Sequence, residues 1–457
     1  MHNTDKTDIA SGANSTARKY RVFTRRQLDQ IPQIKSLSLS DRWAMNAVAA
    51  VLPFRVNNYV IEELIDWSKI PDDPMYQLTF PQPGMLSPED FQKMYRLVRE
   101  GAPDEVLMLA ARDVQRRLNP HPAGQLELNV PKVGGQPIPG IQHKYKETVL
   151  FFPAAGQTCH AYCTYCFRWA QFVGMSDLKF AAKEAGSLAS YLRSRTEVSS
   201  VLLTGGDPLV MKTALLSRYI EPLLEPDLEH VESIRIGTKA PAYWPYRFTT
   251  DSDADDLLRL IEKVANSNRH IAIMVHYSHP IELESPAAQE AVRRLRDAGA
   301  TVRCQAPLIR GVNDDAATWV ELWRRQIRLG AVPYYMFVER DTGPKDYFSV
   351  PLARAFEIFN EAYSQVSGLG RTVRGPSMSA TPGKVLVDGI SEIYGERVFV
   401  LKFLQARNPD WVGRPFFAKY DEEAIWLDDL VPAFDEDRFF FEQENAFSAE
   451  SRPAAER

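Results

Sequence analysis

Two rhythms of apolar and polar residues divide this 457-residue chain. From Thr24 to about Leu118 the apolar positions fall at helical spacing, with Ser40-Asp41 as an N-cap signal and Ser87-Pro88 opening a second helix ahead of two acids. A proline- and glycine-rich stretch, 119–145, breaks that rhythm and reads as extended loop. From Thr148 short apolar runs alternate with amphipathic segments. The runs 148–153, 199–204, 232–237, 270–276, 301–306 and 333–338 read as buried strands, and the segments between them as helices. That alternation predicts parallel strands joined by right-handed crossovers. Six units predict a partial (β/α)6 barrel; an eight-unit barrel or an open doubly wound sheet has the same periodicity. In each case the site belongs beyond the carboxyl ends of the strands. After Pro351 come a helix, a polar turn-rich stretch and two further strands.

The expected organisation is a flexible leader (1–18), a helical N-terminal region with linker (19–145), a barrel core (146–340), a C-terminal α+β region (341–434) and an acidic, partly disordered tail (435–457). Hydrophobic residues make up 45% and charged residues 25%, which excludes wholesale disorder. A net charge of −5 argues against a protein that coats nucleic acid or an anionic membrane. No signal-peptide core or long apolar run is present, so a cytoplasmic location is expected.

Four cysteines in such a length are no disulfide scaffold. Cys159, Cys163 and Cys166 lie within eight residues, spaced C-x3-C-x2-C just after the first barrel strand. Structural zinc ordinarily takes four protein ligands, and here His160 would have to join them. Three thiolates instead leave one iron of a [4Fe–4S] cluster open to a small molecule. Tyr165 precedes the third cysteine, as in the pattern of radical S-adenosylmethionine (SAM) enzymes. One unit later, "LLTGGDP" (202–208) places Gly205, Gly206 and Asp207 at a strand end. Alone this is an ordinary tight turn. After the cysteine triplet it resembles the element that holds the amino group of SAM.

Eight or more segments, among them "HKYKETVLFF", "CHAYCTYCFRWAQFVG", "IRIGTKAP", "HYSHPIEL", "CQAPLIRGVND" and "PGKVLV", resemble in order the lysine 2,3-aminomutase family over roughly 51–388. The resemblance implies a radical SAM barrel that also uses pyridoxal phosphate (PLP). It implies an isomerase in which a 5′-deoxyadenosyl radical takes a β-hydrogen from an amino acid carried on PLP, and the nitrogen moves from C2 to C3. Carried over residue by residue, Cys159, Cys163 and Cys166 match the cluster ligands. Gly205, Gly206, Asp207, His276 and Gln305 match SAM contacts, and Lys384 the PLP lysine. Lys144 and Tyr145 match an Arg-Tyr pair that contacts PLP, and Arg168 the arginine that holds the substrate carboxylate. The family has a longer glycine run before its lysine.

Two positions depart further. Lysine-specific members set two aspartates around the substrate's side-chain amine; Arg340 and Ser377 stand there. A cationic side chain would meet Arg340, so the inversion points to an acidic, glutamate-like substrate. The bland reading is that Arg340 pairs with Glu339 or Asp341 on a loop. The family's C-terminal zinc cysteines are absent, since all four cysteines lie elsewhere. A small-molecule amino acid, an electron donor such as flavodoxin or ferredoxin, and homo-oligomers are the expected partners, with no nucleic acid or membrane. A lysine substrate, or a radical SAM enzyme that has lost PLP, remains the alternative.

Overall fold

The alternating runs become consecutive strands of one eleven-stranded sheet in a computed structural model that describes residues 18–174, 179–184 and 186–443. Nearly all of the expected leader and the tail beyond Gln443 lie outside those residues. The sheet comprises β1 (Ile141–Tyr145), β2 (Thr148–Phe151), β3 (Ser200–Leu203), β4 (Ser233–Thr238), β5 (His270–His276) and β6 (Thr301–Leu308). It continues with β7 (Val332–Val338), β8 (Arg374–Ser379), β9 (Gly383–Ile393), β10 (Glu396–Ala406) and β11 (Pro415–Lys419). Strands β2 to β8 run parallel, each beside the next. Among the described residues, three helices of eight residues or more precede the sheet: α1 (Leu39–Val51), α2 (Pro88–Arg99) and α3 (Asp104–Arg117). Six connect the parallel strands: α4 (Gly186–Arg193), α5 (Thr213–Ile220), α6 (Ala254–Ala265), α7 (Pro286–Asp297), α8 (Ala316–Arg328) and α9 (Leu352–Ser364).

The six predicted strands are β2 to β7. A seventh parallel strand, β8, lies in the stretch expected to be polar turn. "RGPSMS" has no β-branched residue to signal a strand, yet Gly375 to Met378 are buried. A side chain at Gly375 would run into the backbone of Met336 on β7. At the other end β1 pairs antiparallel with β2, where extended loop was expected. The first helix is capped by Ser38, not Ser40-Asp41: Ser38 Oγ accepts from Asp41 N at 3.1 Å. Ser87 caps α2 as predicted, accepting from Asp90 N at 3.2 Å.

Alternation along the strands decides which side chains face the concave side. On β4, Ile234 and Ile236 enter the core while Arg235 and Gly237 face the other way. On β6, Val302, Cys304 and Ala306 are buried, and Arg303 and Gln305 alternate with them. Cys304 thus points into the core. The sheet curls until β1 meets the β8–β9 junction through side chains rather than a ladder. Lys144 on β1 donates to Ala380 O, between β8 and β9. Arg407, just after β10, donates to Leu128 O at 3.1 Å and Asn129 Oδ1 at 2.6 Å. The result is an α/β partial barrel with an antiparallel extension, β9 to β11.

The N-terminal helices and the barrel share one apolar core, in which Val48, Met94 and Val114 join Ile234, Val302 and Trp319. A second core belongs to the extension, where Phe403, Trp411 and Phe416 pack with Phe439 and Phe441. Those last two phenylalanines lie in the stretch expected to be tail. No helix among the described residues is long and apolar enough to cross a membrane.

Candidate active site

The cysteine loop is held mainly by the N-terminal region. Thr164 N donates to Leu78 O at 2.9 Å and Thr164 Oγ1 to Gln77 O at 2.7 Å. Tyr162 N donates to Arg55 O at 2.8 Å, and Tyr20 and Asn57 both donate to His160 O. All three thiols are free, and burial together with mutual proximity pushes Cys166 up to about 12. Partly buried thiols within electrostatic reach of one another are costly to ionise unless a cation takes their charge, which fits an iron–sulfur cluster. Among the described residues no three His, Cys, Asp or Glu side chains converge on one point as a single ion requires. A cubane is ligated at separate iron corners, so its thiolates need no common point. The His160 ring is instead buried, edge-on to Tyr20 at 5.9 Å, and held near 3 by burial and by Arg247 and Arg55.

The "GGD" turn proves to be part of the same scaffold. Gly205, at φ +134°, and Gly206 lie directly against Gln157 and Thr158, where a β-carbon would collide. Asp207 N donates to Thr158 O at 2.7 Å. The Asp207 carboxylate is fully engaged: Thr238 Oγ1 donates to both oxygens, Leu209 N to one and Lys239 N to the other. Asp207 therefore braces the turn in which Gly205 and Gly206 lie. His276 and Gln305 end neighbouring strands in register, with Gln305 Nε2 and His276 Nε2 2.8 Å apart. Burial holds His276 down near 3, so its ring is neutral.

The sequence reading missed Lys239 and Glu282. They form an ion pair at 2.6 Å with side chains 10% and 0% exposed. Lys239 Nζ also lies 4.6 Å from the Tyr243 ring centroid, and Cys163 Sγ donates to Tyr243 Oη at 3.6 Å. Glu282 accepts from the Ser278 and His279 backbone N–H groups, and Ser278 Oγ meets Tyr165 Oη at 3.1 Å. One network thus ties β4 and β5 to the cysteine loop.

Lys384 begins β9, and its Nζ stands 4.2 Å from the Tyr335 centroid and 5.6 Å from that of Phe337. Burial, then Arg374 and Arg235, lower its amine to about 7. A neutral, nucleophilic amine is what attachment to an aldehyde requires, so the residue fits PLP. Lys144, lowered to about 6 by burial and by Arg407, Arg340 and Lys384, shares this chamber with Tyr145. An open pocket of about 340 Å³ is lined by His143, Lys144, Tyr145, Lys146, Arg407 and Pro409.

Arg168 stacks over Phe152 at 4.1 Å and Arg340 over Phe167 at 5.0 Å. Burial and, to a smaller extent, Arg340 lower Arg168 to about 10, and burial lowers Arg340. The Nε of each is buried with no hydrogen-bond partner. Arg340 is within electrostatic reach of Glu339 and Asp341 but forms an ion pair with neither, and burial pushes Glu339 well up. The loop ion pair of the bland reading is absent. Ser377 is fully buried with an unpartnered hydroxyl. It pairs in register with Phe337, and no contact ties it to Arg340.

No family model matches the sequence. An Aquifex aeolicus protein provisionally named an L-lysine 2,3-aminomutase is 32% identical over 295 residues, 64% of this chain and 75% of that protein. The L-lysine 2,3-aminomutase of Clostridium subterminale is 30% identical over 232 residues, 51% of this chain and 52% of that enzyme. The chain thus spans about half the length of that relative. A solved radical SAM methyltransferase from Sphaerobacter thermophilus overlays 62% of this chain and 92% of its own at 15% identity, with a TM-score of 0.35 that carries no argument. With three quarters of the Aquifex protein matched at 32% identity, the chain belongs to the lysine 2,3-aminomutase family, radical SAM isomerases that use a [4Fe–4S] cluster, SAM and PLP.

Proposed function

We propose that this chain is a radical SAM, PLP-dependent 2,3-aminomutase that moves the α-amino group of an acidic, glutamate-like amino acid to its β-carbon. The observation that carries the substrate class is the pair Arg168 and Arg340, two buried guanidinium groups without a carboxylate partner. Two unpaired cations in a dry chamber repel each other and lack the solvation water gave them. A dicarboxylate would neutralise both, whereas a side-chain ammonium would add a third positive charge.

When bound, the cluster with SAM supplies a hydrogen-abstracting carbon radical, and PLP supplies a conjugated carrier for the migrating nitrogen. Cys159, Cys163 and Cys166 would hold three irons and leave the fourth to SAM. Neutral His276, with Gln305, offers SAM a polar wall that takes no proton. The Lys384 amine would attach PLP, and Lys144 with Tyr145 would face its polar groups. Arg168 would hold the α-carboxylate beside the cluster and Arg340 the second carboxylate, with Ser377 donating a hydrogen bond nearby. An electron donor such as flavodoxin or ferredoxin and assembly into a homo-oligomer complete the proposal.

Asp341 supports a second reading, a lysine substrate. It is an acid one residue beyond Arg340, and its Oδ1 is buried and unpartnered. The test is a panel of glutamate, aspartate, lysine and arginine given to reduced enzyme with SAM, read as β-isomers. Glutamate turnover is expected; lysine turnover without glutamate turnover gives the site to Asp341. If the visible band of protein-bound PLP never forms, the aminomutase reading fails and a PLP-independent radical SAM enzyme replaces it; if the band survives in Lys384→Ala, another lysine carries PLP.

A further inference from the structure

Beneath Lys384 the concave face of the barrel carries three more cations. Arg235 comes from β4, Arg303 from β6 and Arg374 from β8. They gather on two tyrosines of β7. Arg303 lies 5.1 Å and Arg374 4.5 Å from the Tyr334 centroid, and Arg374 lies 4.3 Å from that of Tyr335. Arg235 is within electrostatic reach of both rings, of Arg303 and of Lys384. Lys384 shares the Tyr335 ring with Arg374, so the three guanidinium groups and the Lys384 amine form one group.

Among the described residues no acid compensates them. Among the described residues none of these three guanidinium groups makes a hydrogen bond or ion pair, and Arg235 Nε is buried without a partner. The neighbouring inward positions are Ala272 and Met274 on β5 and Gln305 on β6, with no acid among them. Two buried cations behind the cysteine loop are paired by contrast: Lys239 with Glu282, and Arg247 with Asp253 at 3.2 Å. Ring faces attract cations but do not cancel their mutual repulsion, and guanidinium groups present forks of donors that match planar or tetrahedral oxyanions.

We propose that the barrel floor formed by Arg235, Arg303 and Arg374 is a binding site for a phosphate-class dianion, one layer beneath Lys384. The site deepens the functional reading above and rests on it only in part. The dianion has two sources with the same chemistry: the phosphate of PLP attached at Lys384, or a separate phosphate ester or inorganic phosphate. It is distinct from the rim, where Lys144 and Tyr145 occupy the positions that the family resemblance assigns to PLP.

The test uses the full, cluster-containing chain with inorganic phosphate as probe, followed by calorimetry and by the thermal midpoint. Phosphate is expected to bind and to raise the midpoint above that in chloride of equal ionic strength. Arg303→Met and Arg374→Met should each weaken phosphate roughly tenfold or more, the loss of one charge-assisted pair. Without phosphate both variants should unfold at a higher temperature than wild type, because a like charge has gone. PLP and pyridoxal separate the sources. If the dianion is the cofactor's, PLP blocks phosphate, and Arg303→Met weakens PLP far more than it weakens pyridoxal attachment. If it is separate, PLP-loaded protein still binds phosphate. A wild-type midpoint that phosphate leaves unmoved overturns the site without recourse to any variant. So does phosphate binding that is lost in Lys144→Met but kept in both arginine variants. Pyridoxal that never attaches, with phosphate still bound at the floor, would instead overturn the PLP reading and leave this site standing.

Discussion

The two sides of the barrel treat buried charge in opposite ways. On the cysteine side the charges behind the loop have protein partners. Asp207 is filled by four donations, Lys239 is paired with Glu282, and His276 is neutral beside Gln305. On the lysine side Arg168, Arg340, Arg235, Arg303, Arg374, Lys144 and Lys384 face one another with no ion-paired carboxylate among the described residues. The first side is a finished scaffold that sets the geometry of a loop. The second is incomplete and gains most from anions that arrive from outside. A buried charge is thus informative only together with its partner.

That contrast predicts opposite signs for charge removal. Glu282→Gln leaves the Lys239 ammonium buried and unpaired, and should lower stability by about 3–5 kcal/mol in a denaturant titration. Replacing both partners with apolar residues, as in Lys239→Met/Glu282→Leu, should recover most of that loss. A single variant as stable as wild type would break the comparison. On the other side Arg340→Met should leave the free protein unchanged or more stable by up to ~1 kcal/mol, while turnover of an acidic substrate falls by roughly two orders of magnitude. A loss of stability as large as that of Glu282→Gln would show that Arg340 has a hidden structural partner.

The smallest effect is in pH dependence. The folded Lys384 amine sits near 7 against 10.5 for an ordinary lysine, and Lys144 near 6. Between those limits the unfolded chain holds protons that the folded chain has released, so stability of the PLP-free protein rises with pH across roughly 6 to 10.5. Below about 6 both states are protonated and the slope from these groups vanishes. Lys384→Ala should flatten the upper part of that rise, and an anion bound beside Lys144 should suppress the lower part by keeping the amine charged. Urea midpoints measured at half-unit pH steps decide it.

Much of the architecture was legible because it repeats locally. Alternating apolar runs fixed β2 to β7, and the cysteine spacing placed three thiols on one loop. Strand β8 was not legible, because its residues are small and buried rather than β-branched. Strand β1 was masked by the proline and glycine that precede it. The floor arginines left a faint trace: Arg235 and Arg303 are charged residues inside apolar strands at inward-facing positions. Nothing in the sequence says that they meet over Tyr334, since that follows from strand register and sheet curl. Arg407 lies outside the stretch that resembles the family, and it reaches the site only because β10 folds back beside β1.

By itself, then, the sequence determined the repeating strand–helix units, the cysteine loop and the identity of the candidate lysine, all properties of spacing along one segment. Only the tertiary structure decided that Asp207 is a brace, that Lys239 and Glu282 close the cysteine side, and that five arginines and two lysine amines gather with no ion-paired carboxylate among the described residues. The physical reason is that charge compensation acts across a few ångströms of space. Residues that neutralise or repel one another here come from strands tens to hundreds of positions apart, and their sum appears only when the sheet curls.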